Sequence, residues 1–527
     1  MKKKSLTAFA LIMILFLISL LALSSGINGI SSKQQISKDS ELHNLRTSAS
    51  GCGIVICDVY YSQFNPKICS SGSGDAIIAW LDYRGGNMGE IDIYAQKISP
   101  NGNDYWLDNG IMILNSTKLN MYMQMCSDGM GGAIMTWGQY VLITESSIRA
   151  QRIDSNGNIL WNSSGVLVSS GDDIVLEDPH ICSDGAEGAI VVWYNDDTNS
   201  IHAQRIDGNG DLLWPTNGVT VCLEHCTNPR ICSDGAGGVI ITWIDSRHYA
   251  TNDRDIYAQR IDLNGNVMWG TNYGIAICNT TDYQNNVRIC SDGAGGAIIT
   301  WEDARQGEYV QRVDSNGNYL WGNNGSRFCE NDGYEPSIIS DGQNGAIITL
   351  CGYVQGTIPM MYAQKIDSNY NRLWGINGTI IYTGVYMDKY PHYPQICTDQ
   401  GAAIISWQVI NYDTDTYDVF AQKLSAMGNL IWSPNGATIC IKASDTGREP
   451  YPEICNDGSG GAFITWMHDD NWSADIRAQR IISDGSFPWT DTTKIPFGSI
   501  YIFWIIISVI SLIVIVNRKN LKYINKN

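Results

Sequence analysis

The most metal-like chemistry in the chain lies in four hairpins, Asp154-Ser-Asn-Gly-Asn158, Asp207-Gly-Asn-Gly-Asp211, Asp262-Leu-Asn-Gly-Asn266 and Asp314-Ser-Asn-Gly-Asn318. Oxygen donors at alternate positions suit Ca²⁺, so Asp154, Asp207, Asp262 and Asp314 are weak calcium candidates. The bidentate Glu that completes an EF-hand loop is missing, and Asn-Gly alone accounts for a tight turn. The seven His are scattered without HxH or HExxH spacing, so no other metal site is expected. No GxSxG elbow or phosphate-cradling loop before a helix occurs, so no catalytic residue and no cofactor are assigned. A carboxylate pair that meets only in space would escape this reading, which leaves a glycan-active enzyme open.

A second chemistry is recognition by aromatic and acidic loops. Tyr382, Tyr386, Asp388, Tyr390, His392 and Tyr393 fall in one loop, and Tyr412, Tyr417 and Trp472 in loops nearby. Tyr and Trp offer large contact area with a polar tip, as protein and glycan interfaces require.

These loops belong to a unit repeated eight times between residues 51 and 489, best seen in ICSDGAGGAIITW followed by YVQRVDSNGNYLWGNNGSRFC from Ile289 to Cys329. A first Trp recurs at Trp80, Trp137, Trp193, Trp243, Trp301, Trp407 and Trp466, with Leu350 in the sixth copy. A second recurs at Trp106, Trp161, Trp214, Trp269, Trp321, Trp374, Trp432 and Trp489. Each unit reads as four short strands: a PxIC strand a, an apolar strand b ending in the first Trp, a YAQRID strand c, and a strand d spanning LWGxNGxxIC. The apolar runs of b and c fit strands covered on both faces. Gln-Arg or Gln-Lys in every strand c, and Asp82-Arg84, Asp245-Arg247 and Asp303-Arg305 after the first Trp, recur from unit to unit and read as structural ties.

Such units predict an all-β fold, an eight-bladed β-propeller of four-stranded antiparallel blades. The last unit lacks its GxxIC segment, while an orphan Gly53-Ile54-Val55-Ile56-Cys57 precedes the first, so an N-terminal strand is expected to close the ring. Over residues 51–489 the chain resembles exported prokaryotic propeller repeats with a DGxGGxxxxW core. It departs from kelch in motif order and from the sialidase Asp-box in spacing, since Asp292 lies nine residues before Trp301. Spacing from the strand c Gln to the second Trp is ten residues in every copy, whereas the bc and da connections vary. In an up-and-down sheet those two connections share one edge, so one face of the disc carries the variation, and that face is the expected binding surface.

Cysteines recur at the end of strand a, with some at the end of the preceding strand d. The candidate pairs are Cys57 with Cys69, Cys222 with Cys232, Cys278 with Cys290, and Cys440 with Cys455; a buried thiol is the alternative at each position.

The ends point to the cell surface. Residues 1–26 have the basic, apolar and small-residue layout of a signal peptide, with an uncleaved anchor as the alternative. A polar linker (27–50) precedes the propeller and a stalk (490–496) follows it. Residues 497–516 hold no charge, are long enough for a transmembrane helix, and precede a basic tail (517–527) expected in the cytoplasm. Exchange of that tail for another anchor is a second fate. The two terminal segments hold seven Lys or Arg and no Asp or Glu, so the net charge of -19 leaves -26 on the exported part. A nucleic-acid partner is excluded on that charge. The expectation is a single-pass protein of the cell membrane, propeller outside, that serves as a binding scaffold for extracellular protein or glycan. A surface hydrolase or lyase and a structural surface-layer component are the alternatives.

Overall fold

The computed structural model describes residues 52–489 apart from 87–88, 142–144, 173–174, 249–253, 272, 282, 306, 355–357, 385–388, 400, 445–446 and 470–472. The described residues form 32 β-strands, with no helix among them long and apolar enough to cross a membrane. The terminal segments assigned to signal peptide, linker, stalk, transmembrane helix and tail lie outside the described residues.

Each repeat builds one antiparallel meander of strands a to d. Blade 5 consists of Gln284–Ser291, Ala297–Asp303, Glu308–Val313 and Ser326–Arg327. Strands b and c of blade 1, Ala76–Asp82 and Asp92–Ile98, are buried along their whole length, which is why their sequences are apolar without alternation. Inner strands of successive blades touch all the way round, blade 8 against blade 1 included. Ile54–Cys57 pairs antiparallel with Ala474–Ile481 and supplies strand d of blade 8. The eight sheets therefore stand as the blades of a closed propeller. Blades 7 and 8 also share one parallel bridge, Ser444 to Asp469.

The recurrent polar residues hold each unit. Asp292 Oδ1 accepts from the backbone N–H groups of Ala294 and Gly296, both at 2.8 Å, and Oδ2 meets Arg312 at 2.8 Å, tying the ab turn to strand c. In blade 1, Ser71 replaces that Asp and Asp75 faces Lys97 at 3.5 Å instead. The fully buried Gln311 accepts from Arg312 N and Trp321 N and donates to Gly322 O at 2.5 Å. A side chain that must clamp both ends of one turn explains the constant ten-residue spacing. Asp303 Oδ2 accepts from Trp301 Nε1 at 2.8 Å and pairs with Arg305, whose guanidinium lies 4.0 Å over Tyr309.

From blade 2 onward each blade is stitched to the next by its second Trp. Trp321 Nε1 donates to Ser368 O of the next blade at 3.1 Å, and Trp489 Nε1 does the same from blade 8 to Pro100 of blade 1 at 2.9 Å.

Two expectations are corrected. The LW and GxxIC segments are not one strand. The former makes only an isolated bridge to strand c, such as Val313 to Tyr319, before a turn leads into a short strand d. The cysteine pairs do not form. Cys57, Cys69, Cys232, Cys278, Cys290 and Cys455 are free thiols, and the disulfides are Cys52–Cys440 and Cys222–Cys226. Strand d cysteines sit at the da edge of the rim, with Cys57 4.0 Å from Asp82, whereas strand a cysteines sit on the inner strand at the ab edge, as Cys69 paired with Ile77 shows. Burial pushes the Cys69 thiol up to about 12, so it stays a neutral core group.

Candidate functional site

Every blade holds one non-glycine residue in the left-handed region near the start of strand a: Asn65, Tyr122, Asp178, Asn228, Asn286, Glu335, Tyr393 and Tyr451, with φ between 46° and 55°. In the first seven blades this residue belongs to a bulge of two residues facing one, directly opposite the first Trp or Leu350. Asn and Asp adopt this conformation readily; Tyr and Glu do so at a cost of about 1–3 kcal/mol each. Glu335, Tyr393 and Tyr451 follow one another in blades 6, 7 and 8, so the strain is concentrated in one sector. In six blades the residue after it is the Pro that opens the PxIC segment.

Two residues further on, the inner strands present Lys67, Gln124, His180, Arg230, Arg288, Ser337, Gln395 and Glu453. These line the central channel. Lys67 pairs with Glu453 across the seam between blades 1 and 8. Arg230 Nη1 lies 2.8 Å from His180 Nε2 and 3.0 Å from Asp178 Oδ2. Burial and then Arg230 lower the His180 pKa, while Asp178, 3.2 Å from the same Nε2, works the other way. Burial works against ionisation of Asp178, but His180 and Arg230 outweigh it and hold the carboxyl well below its usual range.

Between blades 5, 6 and 7 the wall opens into a cavity of about 290 Å³ lined by Asn286, Arg288, Glu335, Ser337, Tyr393 and Gln395 among others. Glu335 is held by His392 Nδ1 at 3.2 Å and by Tyr393 N at 2.8 Å. Glu302 Oε1 accepts from Asn286 Nδ2 at 2.6 Å and Glu335 N at 2.7 Å.

Seven rings run in contact from the bc loop of blade 7 to this cavity. Tyr412 meets Tyr390 (5.1 Å between centroids), Tyr390 meets Tyr353 (6.4 Å), and Tyr353 meets Tyr334 (5.8 Å). Tyr334 then meets His392 (5.9 Å), His392 meets Tyr393 (6.3 Å), and Tyr393 meets Tyr451 (5.0 Å). Tyr412 is 60% exposed and Tyr451 43%, so the two ends of the array are open to solvent.

Of the residues expected to bind, Tyr390, His392, Tyr393 and Tyr412 thus come together. Tyr382 and Tyr417 do not. Both are buried, Tyr382 against Trp407 and Phe420, because each lies in a strand flanking the blade 6 and 7 cores rather than in a loop. Tyr386, Asp388 and Trp472 lie outside the described residues. Tyr390, His392 and Tyr393 lie in strand a of blade 7, Lys389–Asp399, rather than in a loop, and Tyr334, Tyr353, Arg288 and Glu335 were missed because attention to loops passed over strand ends of the same kind. In the calcium candidates the carboxylate is already occupied by its own turn. Asp154 accepts from Asn156 N, Asn158 N and Asn158 Nδ2 at 2.8–2.9 Å, as do its counterparts Asp262 and Asp314. Asp207 likewise caps Asn209 N and Asp211 N.

Glu308, the register partner of Glu302 on strand c of blade 5, is fully buried and accepts from Gly333 N at 3.2 Å. Burial, then the Glu302 charge, push its pKa up to about 8. A carboxyl raised on folding contributes stability that is complete below its unfolded value and is lost as pH rises through the folded one. Thermal melts are therefore expected to show stability falling from about pH 5 to pH 8, and Glu308→Gln to flatten that fall. A slope unchanged in the variant would show that Glu308 is not its source.

No protein-family model and no curated protein matches the chain. Solved structures match it at low identity. An α-L-arabinanase from Penicillium chrysogenum shares 11% identity at a TM-score of 0.31, covering 61% of this chain and 99% of its own. A lectin from Burkholderia pseudomallei shares 9% at 0.42, covering 72% and 100%. A Hadza microbial sialidase shares 10% at 0.31, covering 81% and 68%. At such identities and scores none of them bears on what this chain binds.

Proposed function

We propose that the protein is a surface-displayed propeller that binds glycan on the face carrying the bc and da connections. The single observation behind this reading is the seven-ring array that ends at a polar cavity in the channel mouth. Sugar rings present apolar C–H faces and hydroxyl edges, and partly exposed tyrosines beside Asn, Gln and Glu side chains match both. The signal-like N-terminus and the apolar stretch at 497–516 support export and membrane attachment, and disulfides fit an oxidising compartment. Trp489 ends blade 8 on the ab and cd edge, so a tail at 497–516 would leave the array facing outward.

A glycan array probed with the full chain tests the reading. Tyr393→Asn with Tyr451→Asn keeps a residue type that Asn65, Asn228 and Asn286 place at the same φ, so folding is retained. Loss of two stacking rings is expected to cost about 2 kcal/mol, near thirtyfold in affinity. Equal binding by wild type and variant would sink the proposal. Glu302 and Glu335 beside the cavity favour turnover as the second reading, and new reducing ends in the same incubations would show it.

A further inference from the structure

Arg288 stands apart from the other charged residues of the channel ring. Lys67 is paired with Glu453, and Arg230 with Asp178, whereas no described carboxylate lies within ion-pair distance of Arg288. Among the described residues its one hydrogen bond runs from Nη1 to Val287 O at 3.0 Å. The side chain is partly exposed and lines the cavity, so the rest of its five-donor fork is available to a ligand there. The two nearby carboxylates, Glu302 and Glu335, are engaged by Asn286, His392 and backbone N–H groups.

We propose that this cavity takes the carboxylate of an acidic sugar unit, held bidentate by Arg288. The planar fork matches a planar carboxylate and gives short charge-assisted bonds that a neutral sugar cannot make. Asn286, Ser337 and Gln395 around the same cavity supply donors and acceptors for the hydroxyls of that unit. Its neighbours then lie along the rings from Tyr393 toward Tyr412. Burial, and then Arg230 alongside, push the Arg288 pKa down to about 10 against the opposing charges of Glu302, Asp178 and Glu335, so the guanidinium is still charged at neutral pH. The proposal rests on the glycan reading and adds the class of sugar.

Calorimetry on the full chain with three probes separates the two: an oligogalacturonate, its methyl ester, and an oligosaccharide without carboxylates that carries anionic sulfate esters. The expected result is at least about tenfold tighter binding of the oligogalacturonate than of its ester, a preference abolished in Arg288→Gln and weakened in Arg288→Lys. Gln124 and Gln395 occupy the same position in other blades, so the glutamine variant folds, and a melting curve checks this. Equal binding of acid and ester would overturn the carboxylate assignment and leave the glycan reading standing. So would preference for the sulfated probe alone, or a preference that survives in Arg288→Gln. Binding of none of the three, together with a blank glycan array, would overturn both.

Discussion

Replacing Cys52 and Cys440 together by alanine is expected to lower the unfolding free energy by about 3–5 kcal/mol. The disulfide joins residues 388 apart in sequence and so closes a loop that contains nearly the whole propeller. In the chain-entropy account, stabilisation grows with loop length, and this loop stands near the top of the range. Its position makes the effect larger than a staple elsewhere would. Cys52 lies just before the four-residue strand that completes blade 8, Cys440 lies in strand d of blade 7, and both are buried. A strand held by only a few register pairs is the weak element of the ring, and the disulfide fixes its leading end. Urea unfolding with and without reductant checks this: in reductant wild type and variant should unfold together, and reductant should lower the variant only by the small contribution of Cys222–Cys226. Cys222–Cys226 closes a loop only four residues apart and supplies the contrast, since its removal should cost far less. A double variant as stable as wild type would remove the closure role.

Gly274→Ala is expected to cost about 2–5 kcal/mol although it adds one methyl group. Gly274 has φ +63°, and a Cβ there would sit 2.4 Å from Ala258 O and 2.6 Å from Trp243 Cη2. The left-handed backbone contributes about 1–2 kcal/mol of that cost for a residue with a Cβ, and overpacking a close-packed site about 1–3. Gly235 also has positive φ (+74°) but nothing within 4 Å, so Gly235→Ala isolates the backbone part. Comparable denaturation midpoints for the two variants would show that the indole contact carries no weight. The same glycine lies over the first Trp in other blades, as Gly110 over Trp80 and Gly325 over Trp301. At Gly378 Leu350 stands in place of the indole, and the three nearest atoms to a Cβ there are backbone, from Ala363 and Gln364.

The architecture was legible because it rests on contacts repeated eight times. A buried Gln that clamps one turn, an Asp that caps another in most blades, and two indoles in every blade but the sixth leave a periodic trace, and the orphan Ile54–Cys57 strand showed how the ring closes. The site was only partly legible, because it is made where the repeats differ. Tyr390, His392, Tyr393 and Tyr412 were recognised by composition, but Tyr382 shares that composition and packs in the core. Arg288 and Glu335 lie within strands, at positions that are inconspicuous until the inner strands are set side by side. The cysteine pairing failed for a related reason. Neighbours in sequence across a da connection are separated by the width of a sheet, whereas Cys52 and Cys440 are brought together only by ring closure.

The eight left-handed positions share one backbone conformation, seven of them within a bulge, while the residue each presents differs, from Asn65 to Tyr451. Recognition is thereby uncoupled from folding. Exchanging an Asn for a Tyr or a Glu at this position alters what the channel mouth displays while the strand pairing beneath it, set by the residues after the bulge and the apolar strand b, stays in register. The propeller is in this sense a dial with eight interchangeable faces, and its ligand could be rewritten blade by blade on an unchanged frame.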